Sequence, residues 1–237
     1  MPELSIVIPA WNEADYLPAT LATLQTSLQA LSLSAEIIVV DNDSSDDTAG
    51  IAADAGVRVV HESEHRIARV RNAGAEAASG DWLLFVDADT RVEPAHLRGL
   101  LAAIEESCAG GGAAIGFDRL QSFPQRMGLG AWNALSRRFR LAAGCFVFAR
   151  ADLHAAIGGF SERLYAGDEI GYSRQLDRIG RRQGRRFMIL DAPPVISSAR
   201  KLDWFRPWQH ALVLATFVLF PWAGRFKRLS WFWYRRP

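Results

Sequence analysis

The chain has 237 residues, of which 49% are hydrophobic and 22% charged, a mixture that fits one large globular domain and excludes a disordered protein. Its 27 Lys and Arg against 26 Asp and Glu leave a net charge of +1, which gives no reason to expect nucleic-acid binding. Cys108 and Cys145 cannot build a disulfide framework or a four-thiolate zinc site, and they favour a reducing compartment. The N-terminal segment lacks the basic start of a cleaved signal peptide, so none is expected.

Short apolar runs alternate with helical patterns in the first half of the chain. Leucines from Leu17 to Leu31 recur at spacings of four and three, which makes one face of an amphipathic helix. Further helices are predicted for residues 68–78 and from Pro94 onwards. Strands are predicted for residues 4–8, 37–40, 57–60 and 82–86. This alternation predicts an α/β fold with a mainly parallel sheet flanked by helices.

The second half of the chain has a different pattern. Three glycines at 110–112 predict a flexible passage into it. Strands are predicted for residues 113–117 and 145–149, with a basic helix for residues 125–140 between them.

Acidic residues follow several of the predicted strands directly. Glu13 follows the first strand, Asp41 the second, and Asp87 and Asp89 the fourth. The carboxyl ends of parallel strands form the crevice in which α/β proteins bind ligands, so these acids are expected to meet there. Two carboxylates one residue apart suit a hard divalent cation such as Mg²⁺ or Mn²⁺, which often shares its coordination with substrate phosphates. The alternative for the same pair is a turn and helix cap.

Asp41 and a group of three arginines each have two possible roles. Asp41 can accept hydrogen bonds from a base or a ribose, or it can cap the following helix. Arg66, Arg69 and Arg71 precede Asn72 and can hold phosphate, or they can form a solvated helix face.

Four motifs stand in a fixed order along the first ninety residues. They are SIVIPAWNE at 5–13, VVDN at 39–42, NAG at 72–74 and FVDAD at 85–89. In order and spacing this series resembles the family 2 glycosyltransferases, and the resemblance covers roughly residues 3–190. It implies the GT-A fold, a nucleotide-diphosphate-sugar donor, a divalent metal (Mg²⁺ or Mn²⁺), and inversion at the anomeric carbon of a sugar moved to an acceptor hydroxyl or lipid phosphate.

The resemblance also implies a division of the chain and a role for individual residues. A GT-A domain is expected over residues 1–197, with a nucleotide-binding half at 1–110 and an acceptor half at 111–197. Asp89 would coordinate the metal, Asp87 would face the ribose or a metal-bound water, and Asp41 would bind the base. The full set expected at the donor is Pro9, Asn12, Glu13, Asp41, Arg69, Asn72, Asp87 and Ala88.

The general base is expected in the second half of the domain. Many family members carry Gly-Glu-Asp there, and this chain has Gly167, Asp168 and Glu169, with the two acids in the opposite order. Alignment from the glycine places Glu169 at the position of the base, with Asp168 beside it. Adjacent carboxylates can split their pKa values, which leaves one of them ionised to take a proton. The alternative is a pair of acids favoured by a helix N-terminus without a catalytic duty.

Residues 198–237 differ from the rest in charge and in aromatic content. They hold eight Lys and Arg against one Asp, together with five of the eight Trp, whereas acids outnumber bases before them. We therefore expect this tail to lie on an anionic membrane surface, peripherally on the cytoplasmic face of the inner membrane. The alternative is packing on the body of the domain or on a second subunit. By resemblance, residues 198–201 form a basic loop that closes over the donor.

Two further classes of function stay open. A nucleotidyltransferase would share the architecture and the metal chemistry, but residues 7–15 lack the glycine-rich phosphate loop expected after its first strand. A non-catalytic nucleotide-sugar-binding protein at the membrane is the other, because the acid pair departs from the family pattern.

Overall fold

A computed structural model describes residues 3–119, 122–220 and 222–234 of the chain. The strands of the described residues are β1 Leu4–Ala10, β2 Ala35–Asp41, β3 Arg58–His61, β4 Trp82–Val86, β5 Thr90–Arg91, β6 Gly110–Gly112, β7 Ile115–Phe117, β8 Phe146–Arg150, β9 Phe187–Ile189 and β10 Val195–Ser197. The helices are α1 Leu17–Ala30, α2 Thr48–Asp54, α3 Ile67–Ala77, α4 Pro94–Glu105, α5 Phe123–Phe139, α6 Ala151–Ala156, α7 Asp168–Arg182, α8 Arg200–Trp204, α9 Pro207–Leu219 and α10 Trp231–Tyr234, with a 3-10 turn at Ala223–Arg225.

The main sheet has seven strands in the order β3-β2-β1-β4-β8-β6-β9. β8 runs antiparallel to both of its neighbours, and the other described pairings in this sheet are parallel. The chain moves outward from β1 to β3 and then returns to place β4 on the other side of β1. This reversal makes the carboxyl ends of β1 and β4 the point at which an α/β sheet opens a crevice. The predicted mainly parallel α/β fold is confirmed.

Both faces of the main sheet are covered, because its central strands are apolar on both sides. Ile6 and Ile8 of β1 pack on the face that carries the buried leucines of α1. Val7 packs on the opposite face, beside Ala68 and Val70 of α3. The spacing of four and three among the leucines of α1 therefore marks the side of that helix that the sheet covers.

A second sheet of three strands, in the order β5-β10-β7, stands beside the first. β10 pairs antiparallel with β5, which directly follows Asp87 and Asp89, and parallel with β7. Since α8 begins three residues after β10, this small sheet carries the start of the C-terminal segment to the end of β4.

The glycines at 110–112 form a buried strand, so the prediction of a flexible passage was wrong. β6 lies between β8 and β9 in the main sheet. A Cβ atom at Gly111 would lie 2.3 Å from the carbonyl oxygen of Met188 and 2.5 Å from the Phe148 ring. Glycine is required here because the neighbouring strand and an aromatic ring occupy the space of a side chain. The two expected halves, 1–110 and 111–197, thus contribute strands to one sheet.

The segment after residue 198 packs on the body of the domain. The 3-10 turn is buried at Ala223 and Gly224, and the Gly224 carbonyl accepts a hydrogen bond from the Tyr165 amide at 2.6 Å. The hydroxyl of Tyr234 in α10 donates to the Tyr165 carbonyl at 2.9 Å. The alternative in which this tail packs on its own domain therefore holds for the turn and for α10.

Helix α9 of the same segment has a different environment. Trp208 is 61% exposed and Leu219 is 68% exposed. Within the described part of the chain, no helix is both long enough and apolar enough to cross a lipid bilayer. Pro221, Arg235, Arg236 and Pro237 belong to the predicted tail but lie outside the described residues.

Candidate active site

A cavity of about 220 Å³ opens where β1 and β4 end. One side of the cavity is formed by the ends of β1, β2 and β4, by α3 and by the turn before α3. The lining residues on this side are Pro9, Ala10, Trp11, Glu13, Asn42, His65, Ile67, Val70, Arg71, Asp87, Ala88 and Asp89. The C-terminal part closes it with Gly144, Ala166, Gly167, Asp168, Glu169, Arg200, Lys201 and Tyr234. The structure therefore brings together Pro9, Glu13, Asp87, Ala88 and Asp89 with the expected acid pair.

Arg71 joins three parts of the cavity wall. It is buried on α3, and its guanidinium donates to Asp168 Oδ2 at 3.0 Å, to Asp87 Oδ1 at 3.3 Å and to the Gly144 carbonyl at 3.1 Å. Burial opposes the charge, but the attraction of Asp168 and Asp87 outweighs it and raises the pKa of Arg71 above its ordinary value. Arg71 thus stays cationic and fixes the N-terminus of α7 to the end of β4.

A second buried arginine, Arg200, contacts Asp89, the other aspartate at the end of β4. Arg200 of α8 donates to Glu13 Oε1 at 2.6 Å and lies 3.1 Å from Asp89 Oδ2. The Ser197 hydroxyl donates to Asp89 Oδ1 at 3.0 Å. Burial raises the pKa of Asp89, and the positive charge of Arg200 offsets this only in part. The guanidinium also lies over the Tyr16 ring, 4.3 Å from its centroid, in a cation–π contact.

The two acids at the start of α7 have different environments. Asp168 is 2% exposed and is the ion-pair partner of Arg71. Glu169 is partly exposed on the cavity wall. Burial and the adjacent Asp168 raise the pKa of Glu169 to about 8, against the opposing effect of Arg71. Glu169 is therefore the member of the pair that is placed to exchange a proton near neutral pH, and Asp168 positions Arg71.

Asp41 lies just outside the cavity lining, at the end of β2. It is 6% exposed, and its Oδ2 is 3.5 Å from Nδ1 of His61. Its Oδ1 is buried without a hydrogen-bond partner in the described structure, which is costly unless a ligand supplies a donor. Asn42, the next residue, lines the cavity and anchors its amide on the carbonyls of Glu62 and Glu64.

Two other residues expected at the donor act on the framework of the site. Asn12 adopts a positive φ of 52° and accepts a hydrogen bond from the Ser45 amide at 2.7 Å, which holds the loop between β2 and α2. Asn72 is buried and exchanges hydrogen bonds with the Phe160 backbone at 3.0 and 2.9 Å. Neither side chain is among those that line the cavity.

Arg69 also points elsewhere. Its Nε donates to Glu62 Oε2 at 3.0 Å, and its side chain is 35% exposed. The arginine that reaches the cavity is Arg71, two residues later on α3. Both stand in the sequence group considered for phosphate binding, and only the fold determines which of them faces the end of β4.

Sequence reasoning missed several residues of the cavity wall. Trp11 and His65 pack edge to face with ring centroids 5.2 Å apart, beside the end of β2. Tyr234 reaches the cavity from α10. Aromatic rings suit contact with a base, but tryptophan after a strand and tyrosine near a C-terminus are not signals in themselves.

The donor atoms of Asp87 and Asp89 fit a hard divalent ion. Within residues 3–119, 122–220 and 222–234, no cluster of three or more His, Cys, Asp or Glu side chains is arranged to hold a metal. Two carboxylates are nevertheless the usual protein contribution to a Mg²⁺ site, because substrate phosphates and water supply the remaining oxygens. The Asp87 side chain is 36% exposed, so it is open to such a ligand.

The doubly wound sheet and its acid-lined crevice define an α/β protein of the nucleotide-binding class. Comparison with protein families matches residues 5–149 to the family described as Glycosyl transferase family 2. The chain belongs to glycosyltransferase family 2, as its motifs predicted.

Individual relatives agree with this assignment. An uncharacterized glycosyltransferase of Mycobacterium tuberculosis is 35% identical over 103 residues, which are 44% of this chain and 44% of that protein. An undecaprenyl-phosphate 4-deoxy-4-formamido-L-arabinose transferase of Salmonella choleraesuis is 31% identical over 115 residues, 44% of this chain and 34% of that protein. The chain thus spans less than half the length of these curated relatives.

A solved structure confirms the GT-A fold. Glucosyl-3-phosphoglycerate synthase from Mycobacterium tuberculosis, in complex with Mn²⁺, UDP and phosphoglyceric acid, superposes with a TM-score of 0.61 at 22% identity. The match covers 96% of this chain and 78% of that chain.

Proposed function

We propose that this chain is an inverting glycosyltransferase that moves a sugar from a nucleoside diphosphate to an acceptor hydroxyl or lipid phosphate. The observation that carries the proposal is that Asp87, Asp89 and Glu169 line one cavity, although 80 residues of sequence or more separate Glu169 from the other two. Two carboxylates at a strand end can serve a diphosphate, and a carboxyl group with a raised pKa across from them can serve as a base.

The nucleotide belongs at the end of β1 and β2 in this proposal. Asp41 would use its unpaired Oδ1 to accept a hydrogen bond from the base, and the Trp11 and His65 rings would bound the base on one side. Asn12 and Asn72 would act indirectly, by holding the loops that border the cavity. The superposed synthase, which was solved with UDP, makes UDP the first nucleotide to try.

Asp87 and Asp89 would hold the divalent cation, Mg²⁺ or Mn²⁺. A cation there would neutralise the charge that develops on the departing diphosphate. Arg200 and Lys201 add positive charge on the same side of the cavity and would contact the diphosphate. Because Arg200 now pairs with Asp89 at 3.1 Å, donor binding would redistribute that guanidinium between the carboxylates and the phosphates.

The transfer itself is a single displacement. Glu169 accepts the proton of the acceptor hydroxyl as the acceptor oxygen forms its bond to the anomeric carbon. The bond from that carbon to the phosphate oxygen breaks, and its electron pair leaves with the nucleoside diphosphate. With a phosphate acceptor, which is already anionic, the base is not needed and the loss of Glu169 would matter less.

The membrane is the proposed location of the acceptor. The exposed apolar residues of α9 and the cations after it, Arg225, Lys227 and Arg228, suit an anionic bilayer surface, which we assign to the cytoplasmic face of the inner membrane. A lipid-phosphate acceptor is supported by the Salmonella relative, whose name gives undecaprenyl phosphate as its substrate.

Calorimetric titration of the full chain with UDP, GDP, CDP and dTDP, with and without Mn²⁺, tests the donor site. We expect one nucleotide to bind in a Mn²⁺-dependent manner, with binding lost in Asp89→Ala and kept in Glu169→Gln. Turnover must then release the nucleoside diphosphate, whereas release of pyrophosphate would indicate nucleotidyl transfer. Absence of binding by all four nucleotides, with a folded protein, would contradict the proposal.

A further inference from the structure

Helix α5 packs on the domain through a partly polar face and leaves much of its apolar surface exposed. Asn133 forms two hydrogen bonds with the Ile115 backbone, at 3.0 and 2.8 Å, and the buried Ser136 donates to the Leu141 carbonyl. Trp132 packs against the core, but four other large apolar side chains face solvent, with exposed fractions of 67% for Phe123, 59% for Met127, 49% for Leu135 and 57% for Phe139. An amphipathic helix normally buries the apolar face and exposes the polar one.

The exposed side of α5 has a single sign of charge. Residues 119–140 contain five arginines and no acid. Arg126, Arg137 and Arg138 are exposed among the apolar residues of the helix. Apolar side chains together with arginines and without acids are the composition of a helix that lies in a bilayer interface.

The charge continues beyond the C-terminal end of α5. Residues 178–190 contain another five arginines and no acid. Arg140 lies 3.8 Å from Asp177 of α7, which joins the two basic segments. Arg137, Arg140 and Arg186 line one cavity of about 570 Å³, whose wall also includes Glu106 and Asp191. This basin is wide enough for a phosphate headgroup, and its arginines can pair with one.

We propose that α5 and the arginines at its C-terminal end form a docking surface for an anionic lipid bilayer, in addition to the C-terminal segment. The apolar residues would enter the acyl boundary and the arginines would meet lipid phosphates. Arg119, four residues before the start of α5, pairs with Asp203 of α8 at 2.6 Å, and α8 leads into α9. The inference does not depend on the proposed transfer reaction.

Charge decides between a bilayer and other occupants of this surface. In a two-fold contact, α5 of one copy would face the same arginines on the other copy, with no acid on either helix to pair with them. A nucleic acid would satisfy the arginines but would leave four large apolar side chains unburied. An anionic bilayer satisfies both the charge and the apolar residues.

Site-specific insertion into vesicles tests the proposal with the full chain. Cys108 and Cys145 are buried, so a thiol-reactive environment-sensitive dye labels the cysteine of a Met127→Cys variant selectively. With vesicles of phosphatidylcholine and phosphatidylglycerol, we expect a blue shift of the dye at position 127. We expect none with phosphatidylcholine alone and none for Arg98→Cys, an exposed position on α4.

Substitutions separate the charge from the apolar contribution. Each arginine near an anionic surface contributes roughly a fivefold increase in affinity, so Arg126→Gln, Arg137→Gln and Arg138→Gln combined should weaken vesicle binding about a hundredfold. Phe123→Gln with Met127→Gln should also weaken vesicle binding. The matched control, Arg91→Gln with Arg98→Gln, removes two exposed charges elsewhere and should bind as the wild type does at equal folded content by circular dichroism.

Three results would overturn the proposal. The protein could cosediment with anionic vesicles while the dye at position 127 stays unshifted, which would assign the contact to the C-terminal segment alone. Sedimentation could show a dimer that the α5 substitutions dissociate, which would make the surface an interface between copies. Finally, the wild type could fail to bind the anionic vesicles at all.

Discussion

Asp87 and Asp89 stand one residue apart at the end of β4, yet each is held by a buried arginine from a different region of the chain. Arg71 comes from α3, inside the doubly wound core. Arg200 comes from α8, a helix of five residues that follows the second sheet. The two aspartates therefore depend on two different regions of the chain.

The difference lies in what else each arginine holds. Arg71 also binds Asp168 and the Gly144 carbonyl, so it cross-links α3, α7 and the segment before β8. Arg200 binds the two acids Glu13 and Asp89, which follow β1 and β4, and it comes from a short helix next to Lys201 on the cavity wall. We therefore propose that Arg71 mainly holds the site together, whereas Arg200 would mainly contact the donor.

Replacing Arg71 is the strongest test of this division. Arg71→Ala leaves Asp168, which is 2% exposed, without its cation, and we expect the free energy of unfolding to fall by about 3–5 kcal/mol. Urea denaturation measures it. The matched control is Arg69→Ala on the same helix, whose pair with Glu62 is 35% exposed on the arginine side and should contribute at most about 1 kcal/mol. Equal losses for the two variants would show that Arg71 does not act as a cross-link.

Replacing Glu169 tests whether this residue is the general base, whose pKa Asp168 raises and Arg71 lowers. Its pKa is raised to about 8, so it is mostly protonated at neutral pH, and only the carboxylate can accept a proton. The rate with a hydroxyl acceptor should therefore rise as the pH increases towards 8 and level off above it. Glu169→Gln should lower kcat about a hundredfold or more and leave nucleotide binding intact.

Asp168→Asn tests the same assignment by the direction in which it shifts the pH profile. Asp168 raises the pKa of Glu169, so its neutral replacement should move the midpoint of the pH profile to lower pH. A midpoint that does not move, or a Glu169→Gln enzyme with the wild-type rate, would exclude Glu169 as the base.

The sequence predicted what depends on local pattern and on motifs. The buried leucines of α1 follow from their spacing, and Asp87 and Asp89 were expected at a strand end because an apolar run precedes them. The strand of glycines at 110–112 was not predictable in this way. Glycine has no side-chain pattern, and the reason for it lies in Met188 and Phe148, which are distant in sequence.

The partners of the site's charged groups were also beyond the sequence. Arg69 and Arg71 are two arginines two residues apart, so the sequence does not distinguish them. In the fold, Arg71 contacts Asp87, whereas Arg69 contacts Glu62. Arg200 is 111 positions after Asp89, and β10 brings it there through its pairing with β5. Such contacts depend on sheet topology, which hydrophobic periodicity does not specify.

Of these substitutions, Arg200→Gln has the smallest expected effect, and it best distinguishes the role of Arg200 from that of Arg71. Lys201 would remain on the same wall as Glu13 and Asp89, and Asp89 would keep the hydrogen bond from the Ser197 hydroxyl, so the stability loss should be smaller than for Arg71→Ala. Nucleotide affinity should instead fall about tenfold, the factor that loss of a charge-assisted hydrogen bond of roughly 1.4 kcal/mol gives.

Arg225→Gln, which removes an exposed charge from the same segment, is the control and should bind normally. If Arg225→Gln weakens binding as much as Arg200→Gln, the net charge of the segment is responsible and the contacts of Arg200 are not. If Arg200→Gln destabilises the fold as much as Arg71→Ala without weakening nucleotide binding, both arginines are structural and the contrast between the two regions is wrong.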